Sequence, residues 1–498
     1  MNLISIYIFF PFILEFIIKY ILGISEWSVI IIAVLMPITF FILFSLLKHR
    51  IKILKIIYLL IAYLPISINI SHILIFNSEI SCGAFMSIFA TNISESIEFV
   101  DHVMSKKIII FGLLYWISFG VLFFYSRELR FKAEKYKKTL ITLFVILYPI
   151  FCFGDQRYRF PFEKVLFPYI EYHIDIIKNK KILNNRRNFV FHDIKSYIDK
   201  NEPELYIIVI GESSNRNHMS IYSNGLKTTP YFDSIKGELQ IFDKIKSKYC
   251  STLKAIKHIF LFNEKFENGD IITLFKQAGF KTFWISNQYA LENNENITSI
   301  MATLADVKVF INKAHYRPKL ASNYDESVVN YLRKVVLDKA KKKVVFIHLF
   351  GSHFPYAKRY PKNFDVFKSE KLDKRSREIA EYNNSILYTD YVLFKILNVI
   401  KNQDTNSYML YFSDHAEDIT DDPKSPHAHS DDIRTEEMFN IPFVVWLSPK
   451  YKSLNNDFMK WWNIHAECCP VDILHSIIDL SRISCKEYNK SKSIFSMK

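Results

Sequence analysis

Hydrophobic and polar positions follow two different rules along this chain. Long apolar runs dominate the first 154 positions. Beyond about residue 200 the runs are short and alternate with amphipathic stretches. Five segments, at about 3–22, 28–47, 56–76, 108–125 and 139–154, have the length and character of membrane-crossing helices, which need roughly 20 apolar residues each. The second, "SVIIIAVLMPITFFILFSLL", carries no charge, and the fifth is the shortest. Glu15 and Lys19 interrupt the first, but their spacing puts them on one helix face where they can pair. No small-residue cleavage site follows the first run, which argues against a removable leader.

The short loops set the expected orientation. "KHRIK" (Lys48 to Lys52) and "RELRFKAEKYKK" (Arg127 to Lys138) are rich in Lys and Arg, and such loops stay in the cytoplasm. Both follow an even-numbered span, so the N terminus is expected inside and everything after residue 154 outside, in the periplasm of a bacterium. The next segment, "RYRFPFEKVLFPYIEYHIDIIKNKKILNNRRN", mixes aromatic and basic residues. It suits a membrane interface or an ordinary amphipathic linker. The expected organisation is a transmembrane domain over 1–154, an interfacial linker over 155–200 and an exported domain over 201–498.

In that last region, apolar runs bounded by turn residues predict buried strands at "LYIIVIGES", "TFWISN", "KVVFIHLFG", "SYMLYFSDH" and "IPFVVWLS". Helical patterns such as "ESVVNYLRKVVLDKAKK" and "REIAEYNNSILYTDYVLFKILNVI" lie between them. Strand and helix alternate, which predicts a doubly wound α/β domain with a parallel sheet and helices on both faces. Ligands in such folds bind beyond the carboxyl ends of the strands. Glu212, His348, His353, Asp414 and His415 fall at those ends.

Composition and charge narrow the partners. The formal charge is +14, which suits nucleic acid, anionic lipid or acidic glycolipid. The chain has no basic repeat, zinc-finger spacing or RNA-binding signature, so nucleic acid is not expected. None of the six cysteines forms a CxxC pair. If the domain is exported, Cys485 could pair with Cys468 or Cys469.

Four stretches carry candidate chemistry: "IGESSN" with Glu212, "CSTLKAIKHIF" with Ser251 and Thr252, "HLFGSHFPYAKRYP" with His348 and His353, and "FSDHAED" with "PHAHSDD", which hold Asp414, His415, His427 and His429. One carboxylate, an Asp-His pair and a hydroxyl can complete a fourfold zinc site. Coordination would favour the alkoxide and make Thr252 a nucleophile, and a helix start would offer N–H groups to an arriving phosphate. The histidines can hold phosphate oxygens, protonate a leaving group or bind a second metal. Each residue also has a plainer reading. Glu212 can cap the helix that follows, Thr252 can be an ordinary helix-start residue, and His427 and His429 can be solvated. Ser213 and Ser214 are read as helix-start hydroxyls. They are not a nucleophile elbow, because Asn215 stands where that motif needs glycine.

Taken together, "VIGESSNRNHMSIYSNGLKTTP", "FWISNQ", "HLFGSHFPYAKRYP", "YNNSILYTDYVL", "SDHAED" and "MFNIPFVVWLS" resemble the bacterial phosphoethanolamine transferases of the sulfatase/alkaline-phosphatase superfamily. Those are inner-membrane enzymes that decorate lipopolysaccharide. The resemblance implies a five-helix membrane bundle followed by a periplasmic sulfatase-like domain. It implies a phosphatidylethanolamine donor, a lipopolysaccharide acceptor, at least one zinc ion and a monomer. Glu212, Asp414 and His415 match the family's zinc ligands. The nucleophilic threonine maps to Thr252, also a ligand, with Ser251 beside it as the alternative. The family's "NHGP" histidine maps to His353, and a further one to His427 or His429. Substrate binding is expected of these and of His348.

Departures from the family pattern are Ala416 for the usual glycine, "GSHFP" for "NHGP", and Asn383 where aspartate is frequent. They leave the acceptor undefined. Two related activities are the alternatives: a glycerophosphate transferase and a sulfatase-like phosphodiesterase. The Cys/Ser-x-Pro-x-Arg context of sulfatases is absent around Thr252. A non-catalytic membrane protein of this fold is the remaining alternative.

Overall fold

The computed structural model describes residues 3–24, 28–46, 51–76, 79–80, 106–125 and scattered positions between 136 and 177. It also describes 189–496 except 200, 224, 266–267, 289–296, 313–322, 370, 372, 423–433, 461, 463 and 465–471. These residues fall into two compact units that divide near residue 174.

The first unit is helical: α1 (Leu3–Ile21), α2 (Ser28–Leu46), α3 (Ile51–Tyr58), α4 (Leu64–Phe76) and α5 (Lys106–Tyr125). A π turn over Leu59–Tyr63 joins α3 to α4, and the Leu64 amide donates to the Leu59 carbonyl. The widened turn precedes Pro65, whose ring would otherwise clash with the carbonyl four residues back. Among the described residues three stretches, Leu3–Ile21, Lys52–Ile75 and Ile108–Tyr125, are long and apolar enough to cross a membrane. Val34–Leu46, within α2, is a shorter apolar helix. Among the described residues, three of the five expected spans thus meet the length and apolarity required. The fifth, at 139–154, lies largely outside the described residues.

Buried polar groups near the helix contacts of this apolar unit are matched, as Lys19 and three tyrosines show. Lys19 Nζ lies 2.8 Å from Glu15 Oε1, the pairing their spacing predicts, and 3.1 Å from Glu79 Oε1. The Tyr7, Tyr63 and Tyr115 hydroxyls donate to the Lys55, Tyr7 and Tyr63 carbonyls at 2.8–2.9 Å. An unmatched hydroxyl here would cost several kcal/mol, about the penalty for burying one in an apolar medium.

The second unit is built on a seven-stranded sheet. Its strands in chain order are β2 (Glu204–Gly211), β3 (Leu239–Ile241), β4 (Lys281–Ser286), β5 (Val307–Phe310), β6 (Lys342–His348), β7 (Asn406–Ser413) and β8 (Phe443–Leu447). A separate short pair joins β1 (Lys195–Ser196) to β9 (Ile483–Ser484). The spatial order is β3-β8-β7-β2-β6-β4-β5. All five expected strands form. The sheet is mixed, however, because β8 runs antiparallel to β7 and β3 antiparallel to β8. "FVVWL" is equally apolar in either direction, so its composition could not reveal this. Among the described residues, the segment from β7 to β8 holds only a 3-10 turn at Glu436–Phe439, whereas a parallel return needs a crossover of a dozen or more residues, usually helical.

Helices cover both faces of the sheet. Tyr206, Ile208 and Ile210 of β2 join one core with α6 (Thr252–Phe260), α7 (Ile271–Gln277), α8 (Ile297–Leu304) and α11 (Ile473–Leu480). Leu205, Ile207 and Val209 join the other core with α9 (Ser327–Val336) and α10 (Lys374–Lys401). This alternation explains why β2 reads as an unbroken apolar run: every residue of the strand is buried. Ile207→Ala should therefore lower stability by about 2–5 kcal/mol, read as a lower unfolding midpoint of the purified protein. An unchanged midpoint would contradict the central placement of β2.

Candidate active site

The parallel ladders bring distant residues to one level. Gly211 at the end of β2 pairs with Ser413 at the end of β7, and Ile210 pairs with His348 at the end of β6. The next residues off the sheet are Glu212 on one strand and Asp414 and His415 on the other. Thr252 opens α6, with Ser251 at the cap position.

Four side chains meet there. Thr252 Oγ1 donates to Glu212 Oε1 at 3.0 Å and lies 3.2 Å from His415 Nε2. His415 Nε2 is 3.0 Å from Glu212 Oε1 and 3.6 Å from Asp414 Oδ2. The Ser213 hydroxyl adds a contact to Glu212 Oε1 at 3.2 Å. On its other oxygen Glu212 accepts from Gln288 Nε2 at 3.0 Å. Glu212, Asp414 and His415 are all buried, whereas Thr252 is partly open.

Burial governs the electrostatics. It pushes the Glu212 carboxyl up, but the hydrogen bond and charge of His415 outweigh it and hold Glu212 well below the usual carboxylate range. Asp414 is pushed up to about 7, first by burial and then by the Glu212 charge. Burial alone would lower His415, yet Asp414 and Glu212 raise it to about 10. Two carboxylates this deep demand a positive partner among them.

A metal ion fits that demand. One ligand atom each from Glu212, Asp414 and His415 lies within 4.8 Å of the others. Asp414 Oδ2 is buried without a hydrogen-bond donor. The donor set of oxygen and nitrogen suits zinc, and Thr252 Oγ1 could supply the fourth position. His415 Nδ1 lies 3.3 Å from the Ala416 carbonyl, which fixes the ring and leaves Nε2 facing the site.

The other expected residues fall as follows. His348 is wholly buried, neither ring nitrogen has a hydrogen-bond partner, and burial pushes its pKa down to about 4. His353 places Nδ1 at 2.6 Å from the Phe354 carbonyl. A carbonyl only accepts, so Nδ1 carries the proton and Nε2 is left for other partners. Both histidines are near enough to act on the Glu212 charge. His427 and His429 lie outside the described residues, as do Cys468 and Cys469.

Ser213 and Ser214 do not start a helix. The helical turn is Arg216–His218, capped by Asn215, whose side chain accepts from the Asn217 amide at 2.9 Å. Ser213 instead takes a left-handed φ of 59°, a costly conformation for a residue with a Cβ. It turns the chain so that Glu212 faces Thr252 while the Tyr382 hydroxyl donates to the Ser213 carbonyl at 2.7 Å.

Sequence reasoning singled out no role for Gln288 or Asp325. Asp325 accepts from the Phe350 and Gly351 amides at 2.9 and 2.8 Å and from Asn287 Nδ2 at 2.8 Å. It thereby ties the loop of His353 to the end of β4. The signal available was the place of "SNQ" at a strand end, beside the other strand ends that carry chemistry.

Comparisons with known proteins follow the same lines. The family model described as Sulfatase matches residues 204–483. Phosphoethanolamine transferase EptC of Escherichia coli K12 is 27% identical over 464 residues, covering 84% of this chain and 78% of its own. Phosphoethanolamine transferase CptA of Salmonella typhimurium is 26% identical over 466 residues, covering 85% and 79%. The C-terminal periplasmic domain of EptC from Escherichia coli, solved in complex with Zn, is similar with a TM-score of 0.57 at 27% identity. That match covers 62% of this chain and 90% of that one. The integral membrane protein lipooligosaccharide phosphoethanolamine transferase A from Neisseria meningitidis shares the fold. Its TM-score is 0.68 at 17% identity, over 99% of this chain and 97% of that one.

One glycine supports the site's geometry. Gly351 has φ +54°, and a Cβ there would lie 2.7 Å from the Glu212 carbonyl oxygen and 2.8 Å from its nitrogen. The neighbouring Ser352 amide donates to that carbonyl at 2.9 Å. Gly351→Ala should displace Glu212 and cut turnover by about 100-fold, the order expected for a shift near 1 Å. Wild-type turnover in that variant would show that the Gly351 contact does not position Glu212.

Proposed function

The chain belongs to the sulfatase family, and on that premise we propose that it transfers phosphoethanolamine from phosphatidylethanolamine to lipopolysaccharide. The reaction is assigned to the periplasmic face of a bacterial inner membrane, with lipid A or a core sugar as acceptor. The observation that carries this reading is the Thr252 hydroxyl at the first turn of α6, 3.0 Å from Glu212 and 3.2 Å from His415. The similarity to relatives named phosphoethanolamine transferases over most of the chain supports it. The apolar helices of the first unit suit a lipid donor.

Glu212, Thr252, Asp414 and His415 would hold zinc, which when bound supplies Lewis acidity and lowers the pKa of the coordinated hydroxyl. Thr252 Oγ attacks the headgroup phosphorus. The bond from phosphorus to the diacylglycerol oxygen breaks, and that oxygen leaves with a proton as the alcohol. The phosphoethanolamine remains on Thr252. An acceptor hydroxyl oxygen then attacks the same phosphorus, the bond from phosphorus to Thr252 Oγ breaks, and the proton given up by the acceptor restores the Thr252 hydroxyl. The first-turn amides of α6 favour the phosphate oxygens. His353, through Nε2, holds a phosphate oxygen or moves a proton. His348 is buried and neutral, which suits a hydrogen-bonding role better than a charged one. His427 or His429 completes the phosphate contacts.

Thr252→Ala should abolish the covalent phosphoethanolamine adduct seen by mass spectrometry of the protein. Modification of lipopolysaccharide should fall by about 10⁴–10⁶-fold, as when a catalytic nucleophile is removed. Modified lipopolysaccharide at the wild-type level would exclude Thr252 and direct attention to Ser251. Chelation should likewise stop turnover and added zinc should restore it, whereas full activity of metal-free enzyme would refute the zinc assignment. Labelling the donor in its headgroup and in its glycerol separately distinguishes this transfer from that of glycerophosphate.

A further inference from the structure

Glu212 uses its two carboxylate oxygens differently. Oε1 gathers Thr252 Oγ1, His415 Nε2 and Ser213 Oγ at 3.0–3.2 Å. Oε2 takes the Gln288 amide at 3.0 Å. The same Gln288 nitrogen lies 3.2 Å from the Leu349 carbonyl, so both of its protons have acceptors. That pair of acceptors fixes which way the amide points, because a flipped Gln288 would set its oxygen against two lone-pair groups.

The support for Gln288 is itself firm. Its backbone amide donates to Ser286 Oγ at 3.1 Å. The adjacent Asn287 donates from its amide to the His348 carbonyl at 2.9 Å and from Nδ2 to Asp325 Oδ1 at 2.8 Å. Three strand ends therefore converge on one carboxylate: β2 carries it, β4 supplies the amide, and β6 supplies the second acceptor.

We propose that Gln288 is a positioning residue that holds Glu212 to one-oxygen presentation, with Oε2 clamped and Oε1 turned to Thr252 and the metal. A neutral amide satisfies the buried second oxygen without adding charge to the site. A cation in its place would weaken metal binding, and a second carboxylate would repel Glu212. With Oε2 occupied, Glu212 cannot swing to offer both oxygens, so Oε1 keeps its place 3.0 Å from Thr252 Oγ1. The inference rests on the reading of Glu212 as a zinc ligand.

The test measures zinc affinity by chelator competition, and kcat and KM for phosphatidylethanolamine, in the full-length protein and three variants. Gln288→Leu leaves Oε2 without a donor. Gln288→Asn keeps the amide but draws it back by one methylene. Glu212→Gln reports on the ligand itself. Gln288→Leu and Gln288→Asn should each bind zinc about 10- to 100-fold more weakly, the range seen when a ligand's hydrogen-bond partner is lost. Their kcat should fall with KM unchanged, and excess zinc should recover part of it. If Glu212→Gln loses zinc while both Gln288 variants bind it as tightly as the wild type, the positioning role is overturned. If Glu212→Gln also binds zinc normally, the ligand reading fails and the proposal with it. Circular dichroism confirms that each variant is folded before affinities are compared.

Discussion

The parallel register between β2 and β7 is the constraint on which the site depends. Gly211 pairs with Ser413, so Glu212 leaves one strand at the level where Asp414 and His415 leave the other. These residues are about two hundred positions apart in the chain, and no local interaction could align them. A slip of one residue would turn every side chain of β2 to the opposite face. Tyr206, Ile208 and Ile210 would exchange places with Leu205, Ile207 and Val209, and two different cores would be disrupted. The hydrophobic packing thus sets the position of a carboxylate that takes no part in that packing.

The carboxylates impose a second condition. Glu212 and Asp414 are almost fully buried beside His415, and like charges at this depth repel unless a cation lies among them. The surroundings are arranged to keep the donors turned inward. Ser213 adopts a left-handed φ, and Gly351 leaves room for the backbone of Glu212. Asp325 ties the loop after β6 through the Phe350 and Gly351 amides. Such features cost stability locally and are offset by the two large cores on either side of the sheet.

The first unit handles buried polarity in another way. Among the described residues, buried Lys19 is paired with Glu15 and Glu79, and buried Lys55 donates to the Phe123 carbonyl. Its tyrosine hydroxyls are used against backbone carbonyls rather than against solvent. The same principle, that a polar group leaving water must find a partner, yields a cluster that could hold a metal ion in one unit and neutral hydrogen bonds in the other. The difference is charge. Hydroxyls and carbonyls satisfy each other completely, whereas two carboxylates and one imidazole cannot.

Hydrophobic periodicity alone determined the division between apolar helices and an α/β domain, and all five strands it predicted are present. Residue type and strand-end position identified Glu212, Asp414, His415, His348 and His353 as candidates, because polar groups at the ends of buried strands have few structural reasons to be there. The direction of β8 was decided only by tertiary structure, since "FVVWL" buries the same surface whichever way it runs. The meeting of Thr252 with Glu212 and His415 was expected from the family resemblance, and the docking of α6 on the sheet brings it about. The turn at Ser213 looked like a helix start in sequence because serine favours both. Gln288 was invisible as a partner because a glutamine has no fixed role until a second chain segment supplies its acceptors. Local pattern encodes which surfaces must be buried. Which buried groups then touch is a property of packing, settled by contacts between residues far apart in the chain.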